Sequence, residues 1–164
     1  NQPYLLGDRF TLADASAYGQ LSMNLVDGRA ADLLRDIAPV TYDWLCAIRD
    51  GRHIGSTGGL KLDEQLRPLL QAIADTFIPL MQQNSAAYHT ARAGGETLFN
   101  EAAFNAGKAL YTGEIQGHLF RSVAKSFQAV VWRELCAGWA RLERHDKDQL
   151  ESRYGLDGAA FSRG

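Results

Sequence analysis

The sequence contains few cysteines, no long apolar run and no marked excess of one charge. Its two cysteines, Cys46 and Cys136, each fall inside a predicted helix, which is typical of reduced, buried thiols and predicts a cytoplasmic location. No apolar run approaches the roughly 18–20 residues that a transmembrane helix needs. The formal net charge of -2 provides no electrostatic reason to expect nucleic acid or an anionic membrane as a partner.

Motifs of metal sites and of hydrolases are also missing. No two histidines are four positions apart; the four are His53, His89, His118 and His145. Because the chain has no Cys-x-x-Cys pair either, we expect no metal site. No Gly-x-Ser-x-Gly elbow indicates a catalytic serine. The glycine-rich segment 51–59 lacks the Gly-Lys-Ser/Thr ending of a phosphate-binding loop, and no predicted strand precedes it, so it is interpreted as a flexible linker.

Apolar residues recur at three- and four-residue steps along most of the chain. This pattern predicts an all-α fold, a bundle of helices. Pro79 interrupts the longest pattern and should kink that helix near Asp75, whose carbonyl loses its partner. Residues 110–117 are interpreted as an irregular segment, a turn with a little extended structure, and a further helix is predicted for about 122–142.

The most informative segment is residues 5–14, which read Leu-Leu-Gly-Asp-Arg-Phe-Thr-Leu-Ala-Asp. Thr11 is a good helix N-cap, because its hydroxyl can accept a hydrogen bond from the first turn. Asp14, three residues later, can reach back to the Thr11 N–H and form a capping box. Thr11 and Asp14 are therefore predicted to be structural residues. From this local interaction, Asp14→Ala is expected to cost about 0.5–2 kcal/mol of stability.

The wider string resembles the N-capping motif of the core helix in the C-terminal domain of glutathione transferases. The family pattern is roughly Gly-(x)-x-x-Ser/Thr-x-Ala-Asp, followed by a face of small and aromatic residues. The matching residues are Gly7, Asp8, Thr11, Leu12, Ala13, Asp14 and Tyr18. Residues 38–44, Ala-Pro-Val-Thr-Tyr-Asp-Trp, are similar to the helix that follows in the family. The resemblance covers residues 1 to about 50.

The resemblance implies that the chain is a fragment of a longer protein. In the family, a thioredoxin-like domain comes first, binds glutathione and supplies the activating side chain. This chain would then form the electrophile-binding half of a cleft whose glutathione site lies in that missing domain. Glutathione would be the co-substrate of the full-length protein, a small electrophile its substrate, and a homodimer its expected state. The fragment alone is expected to bind no glutathione and to be inactive.

Five residues are predicted to line the electrophile side of the cleft that the resemblance implies: Tyr18, Tyr111, His118, Arg121 and Lys125. The last four lie where a glycine-bounded loop leads into a predicted helix, a place where anions often bind. Alternatively, these side chains only pack the loop and satisfy local hydrogen bonds. The late helix is expected to bury Phe127 and to expose Trp132 among basic residues, either as a binding surface or as a solvated face.

The predicted organisation has four parts. Core helices occupy 1–50, a glycine-rich linker 51–62, a helical extension packing on the same core 63–144, and a polar, poorly packed tail 145–164. A second functional hypothesis is a non-catalytic helical protein–protein interaction module, since related domains serve as assembly scaffolds in translation machinery. Fold resemblance does not separate the two hypotheses, because function depends on the site.

Overall fold

Helices account for most of the chain in the computed structural model, which describes residues 2–163 and their side chains as far as residue 162. The predicted helical character is therefore confirmed. The chain divides into two compact units, residues 1–66 and 67–164. Among the described helices, none combines the length and the apolar character of a membrane span.

The first unit is built around three α-helices with a small apolar core. The helices α1, α2 and α3 span Leu12–Leu21, Gly28–Ile37 and Pro39–Arg49, with 3-10 turns at Ser22–Leu25 and Glu64–Leu66. Proline suits the first position of α3, because the N–H that it lacks would have no partner within the helix. The buried apolar residues of the unit are Leu45, Ile48 and Leu66.

The glycine-rich segment after α3 lies antiparallel to the residues ahead of α1. Lys61 donates its backbone N–H to the Leu6 carbonyl at 2.8 Å. Gly7 lies in this contact with a φ of 114°, and a Cβ there would come within 2.5 Å of the Gly59 carbonyl oxygen. Only glycine fits this position without strain. The segment predicted as a flexible linker, residues 51–62, instead belongs to the first unit, where Ser56, Gly59 and Lys61 form hydrogen bonds with the residues ahead of α1.

The second unit begins with a long, locally irregular helix. α4 at Arg67–Ala72 continues through a π-helical stretch, Ile73–Phe77, into α5 at Ile78–Ala93. The irregular stretch lies where the sequence predicts a kink, just before the proline that cannot donate to the carbonyl of Asp75. The later elements are α6 at Glu101–Asn105, β1 at Leu110–Ile115, β2 at His118–Val123, α7 at Ser126–Arg141, α8 at Arg144–Tyr154 and a 3-10 turn at Gly158–Arg163.

β1 and β2 form an antiparallel hairpin, so the all-α prediction is wrong for this segment. Gln116 and Gly117 join the strands with φ angles of 50° and 79°. Positive φ at both turn positions suits the twist of the flanking strands. On one face of the hairpin, the rings of Tyr111 and Phe120 meet edge-on with centroids 5.8 Å apart. The sequence did not predict this hairpin for two reasons. Gln-Gly is a weaker turn signal than Asn-Gly, and a search for helical periodicity does not detect a contact between rings on two strands.

The second unit has a core of its own, which its C-terminal residues help to build. Phe161 stacks on Trp139 with ring centroids 4.6 Å apart, and Tyr154 at the end of α8 is buried. The prediction that residues 145–164 form a poorly packed tail is therefore wrong, because Phe161 covers apolar surface on α7 and Tyr154 is itself buried. The core cluster consists of Ile78, Met81, Trp132 and Ala160.

Two neighbouring amide side chains on α5 bind the backbone of the hairpin region. Gln83 accepts from the Glu114 N–H at 2.7 Å and donates to the Glu114 carbonyl at 2.8 Å, at the edge of β1 that faces away from β2. Asn84, which is fully buried, accepts from the Lys125 N–H at 2.8 Å and donates to its carbonyl at 2.9 Å. Gln83 satisfies the two backbone groups of Glu114 that the hairpin leaves unpaired, and Asn84 satisfies the Lys125 N–H, while the Lys125 carbonyl also accepts from the Ala129 N–H.

Replacing Asn84 with alanine should destabilise the second unit strongly. The Lys125 N–H would lose its acceptor and a cavity would form at the fully buried position of Asn84, while the Lys125 carbonyl would keep the Ala129 N–H, so we expect a loss of about 2–4 kcal/mol. Gln83→Ala is the matched control, because its bonds lie at the exposed edge of β1. It should cost about 1 kcal/mol or less. Hydrogen exchange of residues 67–164 measures both, and equal losses would contradict the role given to Asn84.

Cys136 is a second test of packing in this unit. Both cysteines are free and half-buried; Cys136 packs against the core cluster, and burial raises the pKa of its thiol. Because the thiolate is the reactive form, the Cys46→Ser variant should react more slowly with an aromatic disulfide at pH 8 when folded than in urea. The folded state also holds the thiol proton more tightly, so the stability of the unit should fall as pH rises above about 9. Equal reaction rates in the folded state and in urea would show that the fold does not protect the Cys136 thiol.

Candidate functional site

Asp14 is the only fully buried residue of α1, all of which is described. Its Oδ2 accepts from the Thr11 N–H at 2.9 Å and from the Thr11 hydroxyl at 2.6 Å, and the predicted capping box is confirmed. Its Oδ1 accepts from the Leu5 N–H at 2.8 Å, a bond that the sequence pattern did not indicate. One buried carboxylate with three donors therefore ties the segment ahead of α1 to the first helical turn.

Leu5, held in this way, lines a groove of about 630 Å³ within the first unit. Val40 lines it too and is 77% exposed. Tyr18, the predicted binding residue in this unit, is half-buried on α1 and is not among the lining residues. The groove combines apolar and polar side chains, including those of Tyr4, Leu5, Leu21, Val40, Trp44 and Arg52.

The other four predicted binding residues lie in or beside the hairpin, on different faces. Tyr111 pairs with Ser122 and His118 with Ile115, so Tyr111 and His118 share one face. Arg121 is an odd number of positions from His118 along β2, so its side chain lies on the opposite face of the hairpin. The strand alternation therefore separates Tyr111 and His118 from Arg121, instead of gathering all of them at one site.

Tyr111 is half-buried within the hairpin. Burial raises the pKa of its hydroxyl, and a hydrogen bond with Ser122 opposes this in part. A phenol with a raised pKa stays protonated at neutral pH and acts as a hydrogen-bond donor or acceptor. His118, by contrast, is exposed at the turn. These placements suit the packing interpretation of Tyr111 better than a role in holding an electrophile.

Arg121 and Lys125 do come together, at a second groove of about 510 Å³ in the second unit. Neither side chain has an acidic partner among the described residues. Lys125 immediately precedes α7, and its backbone is clasped by the Asn84 amide. The groove is lined mainly by Phe99, Phe104, Phe127, Glu101, Arg121 and Lys125.

The three phenylalanines of this groove were not recognised as site residues from the sequence. Phe127 was expected to face inward, yet it is 76% exposed, whereas Trp132 was expected at the surface and is buried. The apolar residues of α7 cover more than one side of the helix. Periodicity alone therefore does not indicate which side of α7 packs against α5. The only sequence signal for this groove was the presence of basic residues close to phenylalanines in the chain.

Neither a cluster of metal ligands nor a known relative identifies the site. Among the residues that the structure describes, no three His, Cys, Asp or Glu side chains are grouped closely enough to hold a metal ion. No family model matches the chain, and no curated protein or solved structure matches it either. The capping box and the two grooves are thus the structural basis for a functional proposal.

Asp14→Ala should cost more than an ordinary helix cap. Three part-buried donors lose a fully buried acceptor, so we expect a loss of about 2–4 kcal/mol, above the usual value for a surface N-cap. The matched control is Asp27→Ala, because Asp27 caps α2 through the Ala30 N–H at 2.9 Å but is exposed. That change should cost about 0.5–1 kcal/mol.

Hydrogen exchange of residues 1–66 in the two variants gives the measurement. Amides at Leu5 and in the first turn of α1 should lose protection in Asp14→Ala and keep it in Asp27→Ala. Unchanged protection at Leu5 in the Asp14 variant would show that this carboxylate does not hold the segment ahead of α1.

Proposed function

We propose that this chain is the helical C-terminal domain of a glutathione-transferase-like protein and forms the electrophile-binding half of its cleft. In the reaction, the glutathione thiolate attacks an electrophilic carbon, a carbon–sulfur bond forms, and the leaving group departs with its electron pair. Glutathione and its activating side chain would belong to a thioredoxin-like domain of the full-length protein, a cytoplasmic homodimer. The helical domain positions the electrophile and excludes water.

The observation that supports this proposal best is the burial of Asp14 at the start of α1. Surface capping boxes occur in many helices and carry little information about function. Here the carboxylate has no exposed surface and also accepts from Leu5, outside the helix. Such a buried cap is what we expect of a folding motif at the entrance of a core helix, which is the part that the matching residue has in the resembled family.

The groove of the first unit supplies the chemistry that an electrophile requires. Leu21, Val40 and Trp44 offer apolar surface, while Tyr4 and Arg52 contribute polar groups to its lining. Its volume, about 630 Å³, falls in the range of small-molecule sites. Its residues contain no nucleophile paired with a base, which agrees with a role in holding the substrate while another domain activates the thiol.

The alternative function, a non-catalytic interaction module, is favoured by one specific observation. Large apolar side chains of the first unit are strongly exposed, among them Val26 at 89% and Ile37 at 71%. Exposed apolar surface often marks a site where another protein or domain binds. A scaffold would use this surface to hold a partner and would need no catalytic chemistry.

The full-length protein provides the decisive experiment. We expect it to be retained on immobilised glutathione and to conjugate a chloronitrobenzene electrophile. Val40→Asp, which puts a charge into the groove, should raise the KM for that electrophile about tenfold, because an apolar ligand would meet a hydrated carboxylate. Retention on glutathione should not change.

Val26→Asp is the matched control, since Val26 is as exposed as Val40 but does not line the groove. It should leave both the KM and the retention unchanged. A full-length protein that neither binds glutathione nor forms the conjugate would refute the transferase proposal and favour the interaction module. Equal KM values in the two variants would show that the electrophile does not bind in this groove.

A further inference from the structure

We propose that the groove of the second unit between α6, β2 and α7 is a binding site for a small aromatic carboxylate. The geometry that points to this ligand is the juxtaposition of three phenylalanines with two unpaired cations, Arg121 and Lys125. This site is separate from the electrophile groove of the first unit. It does not depend on glutathione or on the transferase proposal.

The apolar part of the site is unusually exposed for its residue type. Phe127 is 76% and Phe104 is 44% exposed, and both line the groove with Phe99. Large aromatic side chains are normally buried or used in recognition, because leaving their surface in water is costly. An aromatic ring of a ligand would cover these phenylalanines and recover that free energy.

The charged part of the site selects an anion. Arg121 and Lys125 have no acidic partner in the described part of the chain, whereas Arg133 on α7 has Glu134 at 3.0 Å. Glu101 also lines the groove and opposes an anion, so the lining side chains carry a net positive charge of one. Arginine can donate two parallel hydrogen bonds to a carboxylate, and lysine adds a point charge.

The backbone that carries these cations is held in place before any ligand arrives. The buried Asn84 amide forms hydrogen bonds with both the N–H and the carbonyl of Lys125. The hairpin that carries Arg121 is tied to α5 by Gln83, and α6 is capped by Asn100, which accepts from the Ala103 N–H at 3.3 Å. A preorganised site loses less conformational entropy on binding.

The size of the groove limits the ligand to one small molecule. About 510 Å³ is within the range of small-molecule sites. A neighbouring groove of about 530 Å³ shares Phe99 and Ser126 with it and leaves room for a substituent on the ring. One ring system with one carboxylate matches the two cations and the aromatic lining.

Naphthalene-2-carboxylate is the probe, and its neutral analogue 2-naphthalenemethanol is the reference ligand. Calorimetric titration of the chain should show binding of the carboxylate about tenfold tighter than binding of the alcohol. Arg121→Gln and Lys125→Gln should each remove most of this difference while leaving the binding of the alcohol unchanged. Phe127→Ala should weaken binding of both ligands.

Two further variants separate the site from general effects. Glu101→Gln should strengthen binding of the carboxylate about threefold, and a gain of this kind cannot arise from unfolding. Arg133→Gln, the matched control on α7, should change nothing. Equal affinity for carboxylate and alcohol, equal loss in the Arg133 variant, or no binding at millimolar probe would each overturn the proposal.

Discussion

Buried side chains that accept from or donate to the backbone are the interaction on which both units depend. In the first unit, the Asp14 carboxylate receives hydrogen bonds from Leu5 and Thr11. In the second unit, the Asn84 amide accepts from the Lys125 N–H and donates to the Lys125 carbonyl. In each case the backbone groups are part-buried and lie next to the start of a helix. A buried polar side chain takes the place of water, because an unpaired backbone group would cost about as much as the bond is worth.

The two grooves are consequences of these interactions. Asp14 holds Leu5 at one groove, and Asn84 and Gln83 hold the segments that carry Lys125 and Arg121 at the other. Each groove pairs apolar surface with a few polar side chains, the usual composition of a small-molecule site. The first offers a mainly apolar surface, suited to an uncharged electrophile. The second has unpaired cations and suits an anion, so the two proposals call for different ligands and different measurements.

Features that depend on near neighbours in the chain were predicted well. The capping box joins residues three positions apart, and Pro79 acts on the helical turn just before it. Features that depend on which helix face meets a partner were predicted poorly. Phe127 was expected inside and Trp132 outside, yet the structure reverses them, because α7 is apolar on more than one side. The hairpin was missed for a related reason: its turn carries Gln-Gly, and its stabilising ring contact joins two strands.

The sequence by itself determined the helical class and the cap at the entrance of α1, since both follow from side chains within one or two helical turns of each other. Tertiary structure alone decided that Asn84 binds Lys125, 41 positions away, and that Arg121 and Phe127 line one groove while Tyr111 belongs to the other face of the hairpin. These arrangements depend on how distant segments pack, and the free energy that selects them comes from burying both partners together. No local pattern contains that information.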